Sequence, residues 1–404
     1  MSSVALASGR RDAAVISLVG LVHGLSHFLQ LAMPTMFLAI RRDLDVSFAA
    51  LGLAATVFYV VSGLCQTIAG FAVDRYGARP MMFAGVTLLA GAVGLMGLAP
   101  NMEALLVCAA IGGVGNSMFH PADFAVLNRT VSVRRLGPAF SVHGISGNIG
   151  WALAPPVMTA FSLWFGGWRP ALIGAGVIGL SILALAWFQR DLLAPASGAK
   201  EPAPVTAGAG AAVLLAPQIL LCFTFFLLLA AGLIGIQTFG MPILGQLHHL
   251  TPEVAAITLT SFLLAGGAGV LCGGFLVART TRHEHVAAGG MAIAAVFIAL
   301  AAGAQLPPWA VLVALGGAGF FSGLTNPSRD FLVRAAAPPG STGKVYGFVY
   351  SGLDAGSAIV PIIFGWMLDH GRGSGVIYAI AGLWLSTIVI IYAMKSASLR
   401  ARAN

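Results

Sequence analysis

The sequence predicts an all-α membrane protein with twelve transmembrane helices in two pseudo-symmetric six-helix bundles. Three observations carry this. The 404 residues are 58% hydrophobic and only 8% charged, whereas a soluble chain carries roughly 25% charged residues. Apolar runs of about 20 residues, the length that crosses a bilayer as a helix, recur from end to end. The second half also repeats residues of the first at an offset of 206: Pro121 with Pro327, Gly137 with Gly343, Asn148 with Asp354, Gly150 with Gly356, and Pro155 with Pro361.

The first run, 14–38, places His23, His27 and Gln30 on one face, with Pro34 close by. It is long and is followed by no small-residue cleavage site, so it is expected to be a retained helix rather than a signal peptide. Runs at 48–72, 80–99, 103–128, 139–163 and 168–189 complete a first bundle, 1–189. Residues 190–216 are rich in Ala, Pro and Gly and form the expected linker. Runs at 217–241, 253–277, 286–305, 309–334, 343–368 and 374–395 make the second bundle, 217–404. Glycines at 147 and 150, 269 and 273, and 352 and 356 have the spacing that lets spanning helices approach closely. Two parallel repeats of this kind imply a site near the bilayer midplane where they meet.

The net charge of +8 is not a nucleic-acid footprint, because its distribution sets orientation instead. With the N-terminus inside, sixteen Lys and Arg fall at the inner ends and loops, against four (Arg41, Arg42, Arg169 and Arg372) outside. That bias places both termini in the cytoplasm. The four cysteines lie inside spans at unrelated spacings and read as small apolar fillers. "PPGSTGK" at 338–344 lacks the first glycine and the final Ser/Thr of a nucleotide loop, so no ATPase module is expected. Energy must then come from gradients, which supply about 2.3 kcal/mol per charge per 100 mV.

After the second run, "GFAVDRYGARP" at 70–80 presents Gly70, Asp74, Arg75, Gly77 and Arg79. This resembles the loop signature Gly-x-x-x-Asp-Arg-x-Gly-Arg-Arg/Lys of the major facilitator superfamily, with Ala78 at a usually basic position. The second copy, "GFLVARTTR" at 274–282, keeps Gly274 and Arg279 but not the aspartate. The resemblance implies a gating latch. Asp74 would accept from backbone N–H groups near 343–346, and the arginines would pair with acidic groups on the fourth span. "GGVGNSMFHPADF" and "LGPAFSVHGISGNIGWALAPP" are similar to the fosmidomycin-resistance-type branch of that superfamily. Phe119, His120, Pro121, Gly147, Asn148 and Gly150 match, and Ala122 stands at that branch's glutamate, with Asp123 one residue on.

Ionisable groups inside spans cost about 2.5–3.5 kcal/mol each on insertion scales, so each needs a reason. Asn116, His120 and Asp123 are spaced i, i+4, i+7, which is one stripe of a helix. Asp123 is expected to pair with Arg75 or Arg79 at the gate, or else to carry a proton. His23, His27 and Gln30 either meet substrate and exchange protons or are neutral imidazoles bonded to neighbouring helices. His23 and His27 have the i, i+4 spacing of a metal pair, but no partner carboxylate or cysteine is in view, so no metal is expected. In the tenth run Asn326 is a substrate-binding candidate, and Arg329 either binds an anionic group on the substrate or pairs with Asp330 or another carboxylate. Gln237 in the seventh run and Tyr350 in the eleventh are further substrate-binding candidates. Tyr346, Tyr350, Asp354 and Ser357 form a stripe, and Asp354, the deepest lone carboxylate, is the leading proton-coupling candidate, either titrating or bonded to the second span. Asp123 and His27 stand behind it.

The expectation is a secondary transporter of the bacterial inner membrane, with no catalytic residues and no cofactor. It would export a small organic molecule in exchange for protons, as a monomer in the lipid bilayer. The alternatives are proton-coupled uptake of a small organic anion, and a non-transporting sensor or assembly factor on the same scaffold.

Overall fold

The computed structural model describes residues 3–194, 214–277, 279–303, 306–336 and 342–403, and these contain helices, turns and no strand. Most of the expected linker, 195–213, lies outside the described residues, as does 338–341 of the loop-like "PPGSTGK" segment. The first helices are α1 (Ser3–Thr35), the short α2 (Phe37–Leu44), α3 (Phe48–Tyr76) and α4 (Ala78–Met96). Then come α5 (Met102–Asn116), α6 (Phe119–Thr130), α7 (Leu136–Trp164) and α8 (Trp168–Phe188). After the linker follow α9 (Pro217–His248), α10 (Pro252–Val277), α11 (His283–Leu300) and α12 (Pro308–Leu324). The series closes with α13 (Asn326–Ala336), α14 (Thr342–Asp369) and α15 (Gly373–Ala403).

Eleven helical runs among the described residues are long and apolar enough to cross a membrane. The remaining expected span, 139–163, is met by α7, whose 29 residues include His143, Asn148, Pro155 and Pro156 and are therefore less apolar. Large apolar side chains such as Phe71, Leu64, Trp309 and Val389 stand mostly exposed on helix flanks. A surface of that kind is stable against lipid, not water.

Two expected continuous spans are broken. The fourth divides into α5 and α6 across Ser117 and Met118, and the tenth into α12 and α13 at Thr325. The cause is local. Pro121 and Pro327 lie in the first turns of α6 and α13, where a residue without an N–H leaves no hydrogen bond unmade. Just beyond each proline the ladder resumes, from Ala122 N–H to the Met118 carbonyl and from Arg329 N–H to the Thr325 carbonyl.

The chain forms two compact units. One comprises Met1–Val46 and Val57–Pro202, the other Ser47–Thr56 and Ala203–Asn404. In the first, α1 packs along α7, and α4 packs against α5 and α8. In the second, α9 packs along α14 and α15, α10 along α12, and α11 against α15. A close crossing recurs in both. A Cβ on Gly150 of α7 would strike the Gly24 carbonyl of α1, and one on Gly356 of α14 would strike the Leu227 carbonyl of α9. The second unit includes the first residues of α3, where the Asp369 carboxylate accepts from the N–H groups of Phe48 (2.8 Å) and Ala49 (2.9 Å). That carboxylate serves as the N-terminal cap of the helix.

Candidate functional site

Within the first unit, α1, α6 and α7 bring four imidazoles and one carboxylate together. Asp123 Oδ2 accepts from His23 Nδ1 at 3.1 Å and from His143 Nε2 at 3.2 Å. His23 and His143 stack with ring centroids 3.5 Å apart. His27 meets His23 edge-on at 4.5 Å and Trp151 at 4.2 Å. Asp123 is fully buried, and His23, His27 and His143 are nearly so. His120 is exposed on the open side of the group, its ring 5.4 Å from that of His23.

Gly147 makes this density possible. A Cβ there would lie 3.1 Å from His23 Nε2 and 3.2 Å from His27 Nε2, so any larger residue would push the rings away. The His143-to-Gly150 stretch of α7 thus supplies a histidine bonded to Asp123, a gap for two imidazoles and, at Gly150, the close crossing with α1. The helices meet tightly enough for side chains a hundred positions apart to share one oxygen.

A second polar chain runs alongside. Gln30 Nε2 donates to Asn116 Oδ1 (2.7 Å), Asn116 Nδ2 donates to Ser62 Oγ (2.8 Å), and Trp151 Nε1 donates to Gln30 Oε1 (3.1 Å). The break between α5 and α6 therefore sends Asn116 into a different network from His120 and Asp123. The three do not share a substrate-facing stripe as one straight helix would give them.

The geometry corrects two expectations. Asp123 pairs with His23 and His143, not with Arg75 or Arg79, because its face of α6 turns toward α1 and α7. And a carboxylate does lie beside the His23 and His27 pair, which the linear sequence did not reveal. Residue type and spacing alone do not single out Trp151 or Ser62, whereas His143 stands out as a lone histidine four residues before Gly147 in an apolar run.

Around the loop signature, Gly77 adopts φ +92° between α3 and α4, a backbone conformation that glycine alone adopts at no steric cost. Gly70 has open space where its Cβ would be. Asp74 pairs with Arg129 of α6 at 3.6 Å. The polarity is thus the reverse of that expected: the acid is in the last turn of α3 and the base on α6, the second part of the fourth span. Arg79 reaches the Arg190 carbonyl at 3.5 Å, and Arg75 lies over the Tyr76 ring.

In the second unit, Arg329 Nε donates to Asp330 Oδ1 at 3.0 Å, and its guanidinium lies over the Phe226 ring, 4.5 Å from the centroid. Tyr350 Oη donates to the same Asp330 oxygen at 3.2 Å. Of the two roles expected for Arg329, the structural pair is formed. Asn326 opens α13. Gln237 is buried, and neither atom of its amide has a hydrogen-bond partner among the described residues. Asp354 is half-buried on α14. The side chain of Tyr346 lies outside the described residues.

The model of the Major Facilitator Superfamily matches residues 16–250 and 227–403 of the chain. The chain is 26% identical over 379 residues to the uncharacterized MFS-type transporter YfnC of Bacillus subtilis (strain 168), covering 91% of this chain and 90% of that protein. It is 25% identical over 373 residues to the fosmidomycin resistance protein of Escherichia coli (strain K12), covering 89% and 88%. Among solved structures, an inward-facing, occupied bacterial homolog of the human lysosomal transporter Spinster superposes with a TM-score of 0.76. That match has 16% identity and covers 97% of both chains, a likeness of fold.

Proposed function

Because the chain belongs to the Major Facilitator Superfamily, it is a multi-pass membrane transporter and not an enzyme, and we propose that it is a proton-coupled antiporter exporting a small organic molecule by alternating access. The observation that carries this reading is the investment of buried polar side chains in spanning helices: the His23, His143 and Asp123 group, the Gln30, Asn116 and Ser62 chain beside it, and the half-buried carboxylate of Asp354. Groups so costly inside a bilayer mark translocation paths and proton relays. The polar chain of the first unit, with His27 and His120, is its substrate-binding group; Gln237, Asn326 and Tyr350 are the substrate-binding candidates of the second unit.

Asp354 is the proton carrier. Unlike Asp123, held by two imidazoles, and Asp330, held by Arg329 and Tyr350, it has no hydrogen-bond partner among the described residues that would hold it in one charge state. Asp123, held by His23 and His143, serves as an anchor more than as a carrier, and His27 stands behind Asp354 as a carrier. Gly70, Asp74, Arg75, Gly77 and Arg79 form the gating loop, with Arg129 as the partner of Asp74. The name of the fosmidomycin resistance protein supports export. The Arg329–Asp330 pair leaves the guanidinium already neutralised, which argues against capture of a substrate anion there. The positive-inside bias supports an inner-membrane protein with both termini cytoplasmic.

The test is purified protein in liposomes with a trapped pH dye and an acidic lumen, challenged from outside with anionic, cationic and neutral compounds. Alkalinisation of the lumen that requires one compound supports exchange. Compound-driven acidification of the lumen at symmetric pH would make the protein a symporter and overturn the export reading.

A further inference from the structure

We propose that His23, His120, His143 and Asp123 form a binding site for a divalent transition-metal ion of the zinc class. The ligand nitrogens of the three histidines all lie within 4.8 Å of one another. Two of these residues, through His23 Nδ1 and His143 Nε2, also stand 3.1 and 3.2 Å from Asp123 Oδ2. Four ligands placed about 2.0–2.1 Å from a tetrahedral ion are separated from each other by about 3.3 Å. The two nitrogen-to-Oδ2 separations match edges of that tetrahedron, and the three imidazoles, within 4.8 Å of one another, have to close toward the ion. Three imidazoles and one carboxylate suit zinc, nickel, cobalt or copper, whereas magnesium and calcium take oxygen ligands.

Two further observations point to a ligand. The second carboxylate oxygen, Asp123 Oδ1, and the nearby His27 Nδ1 are buried with no hydrogen-bond partner among the described residues. Leaving a buried polar atom unpaired costs about 1–3 kcal/mol, and an ion reached by both carboxylate oxygens offsets that cost for Asp123. In addition, a purely hydrogen-bonded group would need only His23, Asp123 and His143. His120 donates to none of them, yet one of its ring nitrogens lies within 4.8 Å of theirs, and its own side chain is exposed. That arrangement leaves an entry path and makes the ion exchangeable.

The exchange of bonds balances. On binding, the hydrogen bonds from His23 Nδ1 and His143 Nε2 to Asp123 give way to coordinate bonds from the same atoms. Each neutral imidazole moves its proton to the ring nitrogen that faces away from the ion. The carboxylate cancels one of the two positive charges, and no proton need leave the protein.

The site goes beyond the antiport reading and is tested without substrate or gradient. Tag-free, full-length protein in detergent is stripped with a chelator and titrated with Co2+, whose visible absorption reports four-coordinate nitrogen and oxygen ligation. One Co2+ per chain, displaced by Zn2+ but not by Mg2+, is expected. His120→Ala should weaken Co2+ binding at least about tenfold while elution volume and helicity stay unchanged, because His120 is exposed. His285→Ala, in the second unit, should bind as the wild type does. Absence of saturable Co2+ and Zn2+ binding by monodisperse wild type, or an unchanged Co2+ affinity and spectrum in His120→Ala, would overturn the proposal.

Discussion

His23 and Asp123 lie a hundred positions apart in the chain, yet their side chains stand 3.1 Å apart in a buried contact. The same carboxylate oxygen receives His143, so one acidic group ties α1, α6 and α7 together. Replacing Asp123 with Ala leaves two buried N–H donors without an acceptor, each worth about 1–3 kcal/mol. Asp123→Asn keeps an acceptor oxygen and loses only the charge. Thermal unfolding in detergent should rank wild type above Asp123→Asn and Asp123→Ala lowest. Equal melting of Ala and wild type would show that the contact carries no stability.

Gly150 and Gly356 hold equivalent places in the two units, each against a backbone carbonyl of the neighbouring helix. Backbone cannot step aside as a flexible side chain can. Gly150→Ala should therefore destabilise the protein by about 1–3 kcal/mol, with a comparable loss for Gly356→Ala. Gly91, with open space at the same point, is the control, and Gly91→Ala should unfold as the wild type does. The readout is the unfolding midpoint of each purified variant.

Asp354→Asn removes a proton site without changing the side chain's shape. In the proteoliposome assay the variant should still exchange compound down its own gradient, while an imposed pH gradient no longer drives accumulation. Proton-driven accumulation at the wild-type rate would remove Asp354 from the coupling step.

Asp74 is 78% exposed in its pair with Arg129, and exposed ion pairs contribute about 0–1 kcal/mol. Asp74→Asn should thus leave the unfolding temperature nearly unchanged while lowering turnover several-fold. A variant that unfolds as the wild type does and turns over normally would exclude Asp74 from gating. Arg129→Gln should reproduce the phenotype if the pair, rather than the aspartate alone, is what matters.

Much of the fold was legible because lipid imposes a simple rule: a spanning segment must satisfy its own backbone hydrogen bonds, so a long apolar run is a helix. The run at 253–277 became α10 (Pro252–Val277) almost unchanged, and the run at 217–241 became α9, which continues beyond it to His248. The breaks at Ser117 and Thr325 were harder to place, since a proline bends or starts a helix depending on what its neighbours pack against. The stripe of Asn116, His120 and Asp123 assumed an unbroken helix and split where the helix does.

Residue types and their spacing were enough to mark His23, His27, His120 and Asp123 as costly groups needing partners, and Gly70 to Arg79 as a turn with a required glycine. They could not say which partners. Polar side chains in a bilayer choose among whichever helices come close, and closeness here depends on Gly147 and Gly150 letting α7 press against α1. Helix crossing is a property of two surfaces at once, so the meeting of His143 with Asp123, and of both with His23, exists only in the packed fold.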